Sequence, residues 1–255
     1  YVIASKGWRA GYLALAIPTL LIVIPSVLCL VRTRPTIAGV DKSRTQEIAA
    51  GMNVSEAVHS RSFWLIAIAE FGGGFYVTAV WIHFAAYLRG IGYSLEVTAF
   101  AASAAMALAT AGQPIMGIIA DRVTSRAALA TAFLVNAISF ILVLYAKHAL
   151  YLALFIILFG SMLTAPVTLL ALLTATSLGL RKYGSLSGIM FLFWVVGASF
   201  GPFVAGWIFD LSGSYSSAFL LCAGVSFLSG TASWLTISLP DEYRVDNLVV
   251  SGLHT

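Results

Sequence analysis

The chain has 255 residues, of which 60% are hydrophobic and only 9% are charged, and its mean hydropathy is +0.96. This composition lies far outside the usual soluble range and excludes a chain made mainly of soluble globular domains. The net charge of +4 comes from basic residues spread over the loops rather than gathered on one face, which argues against a nucleic-acid-binding protein.

Long segments without lysine or arginine predict membrane-spanning helices. About 20 helical residues are needed to cross the roughly 30 Å hydrocarbon core, and each segment is at least that long. The seven predicted spans are 10–31, 62–88, 97–120, 127–146, 148–180, 183–209 and 211–240. We therefore predict an all-α, polytopic helical bundle that lies in the lipid bilayer.

The basic residues are divided unequally between the two sides of the predicted bundle. Ten lie on the side that includes Arg61 and Arg126, and four lie on the side that includes Arg89 and Lys147. Because cytoplasmic loops carry the excess of positive charge, we predict that the first side is cytoplasmic. This assignment places the protein in the cell membrane with its N-terminus outside and its C-terminus in the cytoplasm.

The longest polar interval, 32–61, follows the first span. Within it Asn53 and Glu56 have the spacing of a capping box, in a short amphipathic run. This pattern predicts a short helix on the cytoplasmic membrane surface, and an unstructured tether fits the interval equally well. The six later spans are joined by short connections, which predicts a compact bundle.

The six later spans divide into two groups of three whose middle helices end alike. The end segments are 113–121 and 201–210, and each has a proline, then a glycine three or four residues later, then an aspartate four residues after the glycine. One segment ends inside and the other outside, which predicts two inverted three-helix repeats. Such repeats are typical of secondary transporters, in which two pseudo-symmetric halves open a central site to either side in turn.

The sharpest local motif is Gly117-x-x-x-Asp121-Arg122-x-x-x-Arg126, at a predicted cytoplasmic helix end. It resembles the loop motif of the major facilitator superfamily. Further similarity lies in the segments 7–10, 63–65, 87–89 and 201–210. Within the superfamily the chain most resembles the monocarboxylate, oxalate and formate carriers, chiefly through residues 201–215.

The resemblance implies a division of the chain into four parts. Residues 1–31 are similar to the last helix of a missing N-terminal half, which is an expected partner. Residues 32–61 correspond to the cytoplasmic linker between halves, 62–240 to helices 7 to 12 of a twelve-helix carrier, and 241–255 to a cytoplasmic tail.

The loop motif has its own chemistry. A glycine lets helices approach, and a carboxylate at a helix end can pair with arginines. By resemblance, Gly117, Asp121, Arg122 and Arg126 are gating residues that hold the cytoplasmic side shut in one state. The same pattern also fits an alternative in which ordinary cytoplasmic arginines lie beside a helix-end aspartate and do not hold the protein shut.

Glu70 is the only carboxylate well inside a predicted span, and the glycines at 72–74 follow it. A charged carboxylate at that depth is costly, so Glu70 is a candidate for proton coupling on a helix that could bend at its glycines. A glutamate paired near the interface is the alternative. His83, on the outer part of the same helix, is a second proton-coupling candidate or a polar contact near the interface.

Five residues are candidates for substrate binding. By resemblance, the first helix of each triplet lines the central cavity, which implies contacts from Tyr76, Trp81, Phe159 and Thr164. Gln113 stands beside Pro114, where a helix break could free its amide to hydrogen-bond a ligand. The alternative roles are interhelical packing and hydrogen bonding.

The resemblance implies a secondary active transporter that moves a small organic solute by alternating access, with or without proton coupling. Where related carriers tend to place an arginine that grips a carboxylate, this chain has Gln113. A neutral or cationic solute therefore fits, as does an anion held by the absent half. A carrier-like receptor without transport activity, or an inactive remnant, is the alternative.

An intramembrane enzyme is disfavoured by the sequence. Catalysis in the bilayer needs a nucleophile with a base, paired aspartates or a metal set, and the four histidines are scattered over different segments. We expect no catalytic residue, no metal site and no cofactor.

Overall fold

A computed structural model describes residues 51–239 and, before them, only residues 9, 10, 12, 13, 16–18, 20–22 and 24–26. The chain forms two compact units, residues 1–44 and 45–255. Part of the predicted first span 10–31, most of the predicted linker 32–61 and all of the predicted tail 241–255 lie outside the described residues.

The described part of the second unit consists of helices, with one isolated β-bridge between Gly51 and Gly179. Six helical segments are long and apolar enough to span a membrane, and they match the six later predicted spans, with α5 and α6 together forming one span. The helices are α1 Val54–His59, α2 Arg61–Gly90, α3 Leu95–Arg122, α4 Ser125–Leu142, α5 Ala149–Met162, α6 Ala165–Leu178, α7 Tyr183–Ser212 and α8 Ser216–Trp234.

Local capping explains where several helices begin. The side chains of Ser60, Ser94 and Thr124 accept hydrogen bonds from main-chain N–H groups in the first turns of α2, α3 and α4. Glu56 of α1 accepts from the main-chain N–H of Asn53 at 2.9 Å, so the short helix predicted from the capping box is confirmed. These caps satisfy donors that a helix start leaves without partners.

The span formed by α5 and α6 is interrupted near its middle, which the sequence analysis did not predict. Pro166 has no N–H to donate to the carbonyl of Met162, four residues earlier. The side-chain amide of Asn136 in α4 lies 3.4 Å from that carbonyl and donates to it instead. The carbonyl of Met162 therefore keeps a hydrogen-bond donor at the break, because a neighbouring helix supplies one.

Two pairs of helices approach closely through glycines. A side chain at Gly74 of α2 would strike the main-chain carbonyl of Trp194 in α7, and one at Gly201 of α7 would strike the carbonyl of Phe75 in α2. Helix α2 is continuous from Arg61 to Gly90, so its glycines serve close packing rather than a break.

The second close pair is α3 with α5. A side chain at Gly112 of α3 would strike the carbonyl of Ser161, and one at Gly160 of α5 would meet the main chain of Ala105. Helices α4 and α8 pack on each other, and α8 also packs on α2 while α4 packs on α5. The middle helices α3 and α7 are the least buried of the described spans.

We predict that Gly201→Ala destabilises the bundle by about 1–3 kcal/mol, because the added methyl group pushes α7 away from the Phe75 carbonyl. Gly224→Ala in α8 is the matched control, since nothing lies within 4 Å of a side chain there. Equilibrium unfolding in mixed detergent micelles measures both variants. Equal stability of the two variants would contradict the packing role of Gly201.

Candidate functional site

A cavity of about 400 Å³ lies between α2, α6 and α7, towards the end of the bundle that carries Arg61 and Arg181. Its volume is within the range of small-molecule sites. It is lined by Glu70, Val167, Ala171, Thr174, Gly184, Ser187, Gly188, Phe191 and Trp194.

Glu70 is the charged group of this cavity. Its side chain is 8% exposed, and no residue within 51–239 forms a hydrogen bond or an ion pair with it. A buried carboxylate without a partner is strongly unfavourable, because it loses its hydration without compensation. Any partner of the Glu70 carboxyl group therefore comes from the cavity that it lines.

The other polar groups of the lining residues are two hydroxyls and the indole N–H of Trp194. Thr174 donates to the main-chain carbonyl of Leu170 at 2.9 Å, and Ser187 donates to that of Gly184 at 3.3 Å. Each hydroxyl hydrogen is therefore already used, and the oxygens remain as acceptors. The side chains of Phe191 and Trp194 in α7 also line the cavity and form its aromatic wall.

Among residues 51–239, no lysine, arginine or histidine lines the cavity. In the described part of the chain, moreover, no group of three or more histidine, cysteine, aspartate or glutamate residues could hold a metal ion. The chemistry of this cavity thus comes from one carboxyl group, two hydroxyl oxygens and two aromatic rings, one of which carries the indole N–H of Trp194.

Two of the predicted substrate-binding residues lie in the protein core. Tyr76 is fully buried, and its ring packs edge-on against Phe140 with centroids 5.3 Å apart. Phe159 is 1% exposed and stacks on Phe155 at 5.1 Å. These contacts correspond to the packing alternative that the sequence left open.

The other three predicted substrate-binding residues also lie outside the lining of the Glu70 cavity. Gln113 is exposed, and its amide donates to the Thr168 hydroxyl of α6 at 2.9 Å. Helix α3 continues through Pro114, so the predicted helix break beside Gln113 is wrong. Thr164 donates to the carbonyl of Ala109 at 3.1 Å, and Trp81 is half-buried against the core.

Sequence reasoning missed Asn136, the most buried amide of the described bundle. Its amide nitrogen donates to the Tyr76 hydroxyl at 2.9 Å, and its Oδ1 is buried without a hydrogen-bond partner. An asparagine inside an apolar span was the available signal, but only the fold shows that it reaches both Tyr76 and the break after α5.

His83 joins three helices at the opposite end of the bundle. Its Nε2 lies 3.0 Å from the carbonyl of Pro202, and its Nδ1 lies 3.1 Å from the hydroxyl of Tyr215. A carbonyl only accepts, so Nε2 carries the hydrogen, and Nδ1 of the neutral ring accepts from Tyr215. Burial, followed by the nearby Asp210, raises the pKa of Tyr215, which keeps that hydroxyl protonated at neutral pH.

A second cavity, of about 660 Å³, borders the same end of the bundle. Its lining includes Tyr87, Lys147 and Tyr215 but not His83. His83 therefore acts in this structure as a hydrogen-bonding link between α2, α7 and the start of α8, and its predicted role in proton coupling remains a prediction.

The predicted gating residues lie at the end of α3 and the start of α4. Asp121 and Arg122 are exposed, and Arg126 is half-buried with Nη1 3.5 Å from the carbonyl of Thr236. Within residues 51–239 Asp121 forms no ion pair with either arginine. No atom lies within 4 Å of a side chain built at Gly117, so this glycine does not serve a close helix approach here.

Six helices that are long and apolar enough to span a membrane define a polytopic helical membrane protein. The chain belongs to the Major Facilitator Superfamily, whose family model matches residues 1–179 and 86–249. The family predicted from the loop motif is thereby confirmed.

A shorter segment resembles particular carriers. Over 64 residues, 25% of the chain, it is 39% identical to monocarboxylate transporter 12 of Rattus norvegicus and, equally, of Mus musculus. The match covers 13% of the length of each relative. This similarity supports the monocarboxylate branch of the superfamily.

We predict that Tyr215→Phe destabilises the bundle by about 1 kcal/mol, because His83 loses its hydroxyl donor. Tyr145→Phe is the control, since that side chain is exposed and its hydroxyl forms no hydrogen bond within residues 51–239. Thermal unfolding in detergent compares the two. A loss no larger than that of the control would contradict the linking role of His83.

Proposed function

We propose that this chain supplies the C-terminal half of a secondary active transporter that moves a small organic solute by alternating access. The observation that carries the proposal is Glu70, a buried carboxyl without a protein partner that faces a solute-sized cavity in a Major Facilitator Superfamily bundle. An ionisable group at membrane depth indicates a solute or ion pathway. The other half of the transporter, and the cytoplasmic side assigned from the arginines, are parts of the same proposal.

The pairing of helices supports two inverted repeats, α2 to α4 and α5 to α8. Helix α2, which opens the first repeat, packs on α7, which is the middle helix of the second. Correspondingly, α5, which opens the second repeat, packs on α3, the middle helix of the first. The last helices, α4 and α8, pack on each other, as expected for a two-fold relation in the membrane plane.

Individual glycine contacts repeat in the same sense. Gly201, just before Pro202, meets the carbonyl of Phe75, the residue after Gly74. Gly112, just before Gln113 and Pro114, meets the carbonyl of Ser161, the residue after Gly160. In each repeat, a glycine of the middle helix thus contacts an equivalent main-chain carbonyl in the first helix of the other repeat. This agreement supports the proposed symmetry.

Two threonines complete this correspondence. Four residues after Gly74, the hydroxyl of Thr78 lies 2.9 Å from the carbonyl of Ala198, three residues before Gly201. Four residues after Gly160, the hydroxyl of Thr164 lies 3.1 Å from the carbonyl of Ala109, three residues before Gly112. Equivalent glycine, threonine and alanine positions thus make equivalent contacts in both repeats. The proposed repeat is therefore supported by these contacts as well as by its proline motif.

Glu70 is the proposed coupling group. A carboxyl that faces a cavity can release its proton when a solute binds or when the cavity opens to another compartment, and no neighbouring arginine or lysine holds the charged form. Alternating access would then expose the same carboxyl to two sides in turn.

The gating role of Asp121, Arg122 and Arg126 is proposed with a partner outside the described residues. Asp121 and Arg122 are exposed at the end of α3 and are not engaged with each other. Their charges are therefore available to another surface, as a latch between two halves requires. No observation favours a receptor without transport activity over a carrier.

We predict that Glu70→Gln lowers pH-gradient-stimulated uptake by about tenfold or more, because an amide cannot exchange a proton at that depth. The full-length transporter in proteoliposomes is assayed with radiolabelled short carboxylates, amines and polyols, with and without the gradient. Glu96→Gln is the matched control, since Glu96 is exposed in the first turn of α3. Gradient stimulation that survives in Glu70→Gln would defeat the coupling proposal.

A further inference from the structure

We propose that the cavity at Glu70 binds a compact organic cation, a primary ammonium group carried on a small aromatic or aliphatic body. The proposal rests on the transport function above and names the solute class for the same cavity. It follows from three features of the lining: its single charge, the hydrogen-bonding state of its hydroxyls and its aromatic wall.

The charge of the lining selects against anions. Glu70 is the only ionisable side chain that the described residues place in the lining, and they offer no basic group there to offset a second carboxylate. A bound carboxylate would lose its hydration beside an acidic side chain, whereas an ammonium group would give Glu70 the partner that the fold withholds. This cavity therefore favours a solute of the opposite charge to the monocarboxylates in the name of the similar transporters.

The hydroxyls extend the same preference. Thr174 and Ser187 donate their hydrogens to main-chain carbonyls, so they face a ligand as acceptors. A primary ammonium group has three N–H donors and no acceptor, which matches one carboxylate and two hydroxyl oxygens. A ligand carboxylate, in contrast, accepts only.

The aromatic wall suits the same ligand. Trp194 sits on the face of α7 that packs against α2, and its ring contacts Gly73, three residues after Glu70. Together with Phe191 it places aromatic surface in the same cavity as the carboxyl group. Cations bind to the faces of aromatic rings, and tryptophan is the strongest such partner. The cavity thus combines a carboxylate and an indole, the two groups that recognise an organic ammonium.

Three probes of similar shape separate charge from size: benzylammonium, benzyl alcohol and benzoate. Binding to the full-length protein in lipid nanodiscs is measured by isothermal titration calorimetry at neutral pH. We expect benzylammonium to bind about tenfold to a hundredfold more tightly than either other probe, the factor that corresponds to a hydrogen bond with a charged group. Equal affinities, tighter binding of benzoate, or no binding of benzylammonium would overturn the proposal.

The variants identify the groups responsible. Glu70→Gln should remove the preference for benzylammonium while Glu96→Gln keeps it, and Trp194→Leu should weaken benzylammonium about two- to fivefold. Monodisperse elution and an unchanged unfolding midpoint show that each variant is folded. An undiminished preference in folded Glu70→Gln would overturn the assignment.

Binding and transport can fail separately. Benzylammonium binding that depends on Glu70, in a protein that moves no solute, would support the cation site and remove the transport function. Proton-driven uptake of a carboxylate, in a protein that does not bind benzylammonium, would remove the cation site and leave the transport function.

Discussion

The hydrocarbon core of a membrane offers no hydrogen bonds, so every polar group there must find its partner inside the protein. Most groups in this bundle do. The amide of Asn136 serves Tyr76 and the carbonyl that Pro166 leaves without a donor, and His83 serves Pro202 and Tyr215. Two side-chain groups among the described residues are exceptions: the buried Oδ1 of Asn136 has no hydrogen-bond partner, and neither has the carboxyl group of Glu70. Of the two, Glu70 lines the cavity, so its partner can be supplied from there.

The cavity exists because of how closely the helices pack on either side of it. Glycines allow α2 and α7 to touch through their main chains, and the large ring of Trp194 lies against Gly73. The small residues Gly184 and Gly188 then leave open space between α7 and α6, and Glu70 faces that space. A carboxyl group in this position can hold a proton or an ammonium group but not both. A transporter that used it for both would exchange one for the other.

The sequence predicted what depends on local pattern. The lengths of the uncharged segments predicted the six spans, and the capping box predicted α1. Glu70 was singled out because it is the only carboxylate well inside a predicted span. The cavity wall could not be predicted, because Thr174, Ser187 and Trp194 carry no local signal and come together only through contacts between distant helices. For the same reason the sequence does not show that Tyr76 and Phe159 are buried in the core. Positions along a helix show which residues share a face, but they do not show which neighbouring helix packs against that face.

The state of the Glu70 carboxyl is the most direct test of this account. Infrared difference spectroscopy resolves the carbonyl stretch of a protonated carboxyl group inside a membrane protein. The account predicts such a band in the wild-type protein, its absence in Glu70→Gln, and its loss when benzylammonium binds. A spectrum without a Glu70 band, or with a band that benzylammonium leaves unchanged, would contradict the account.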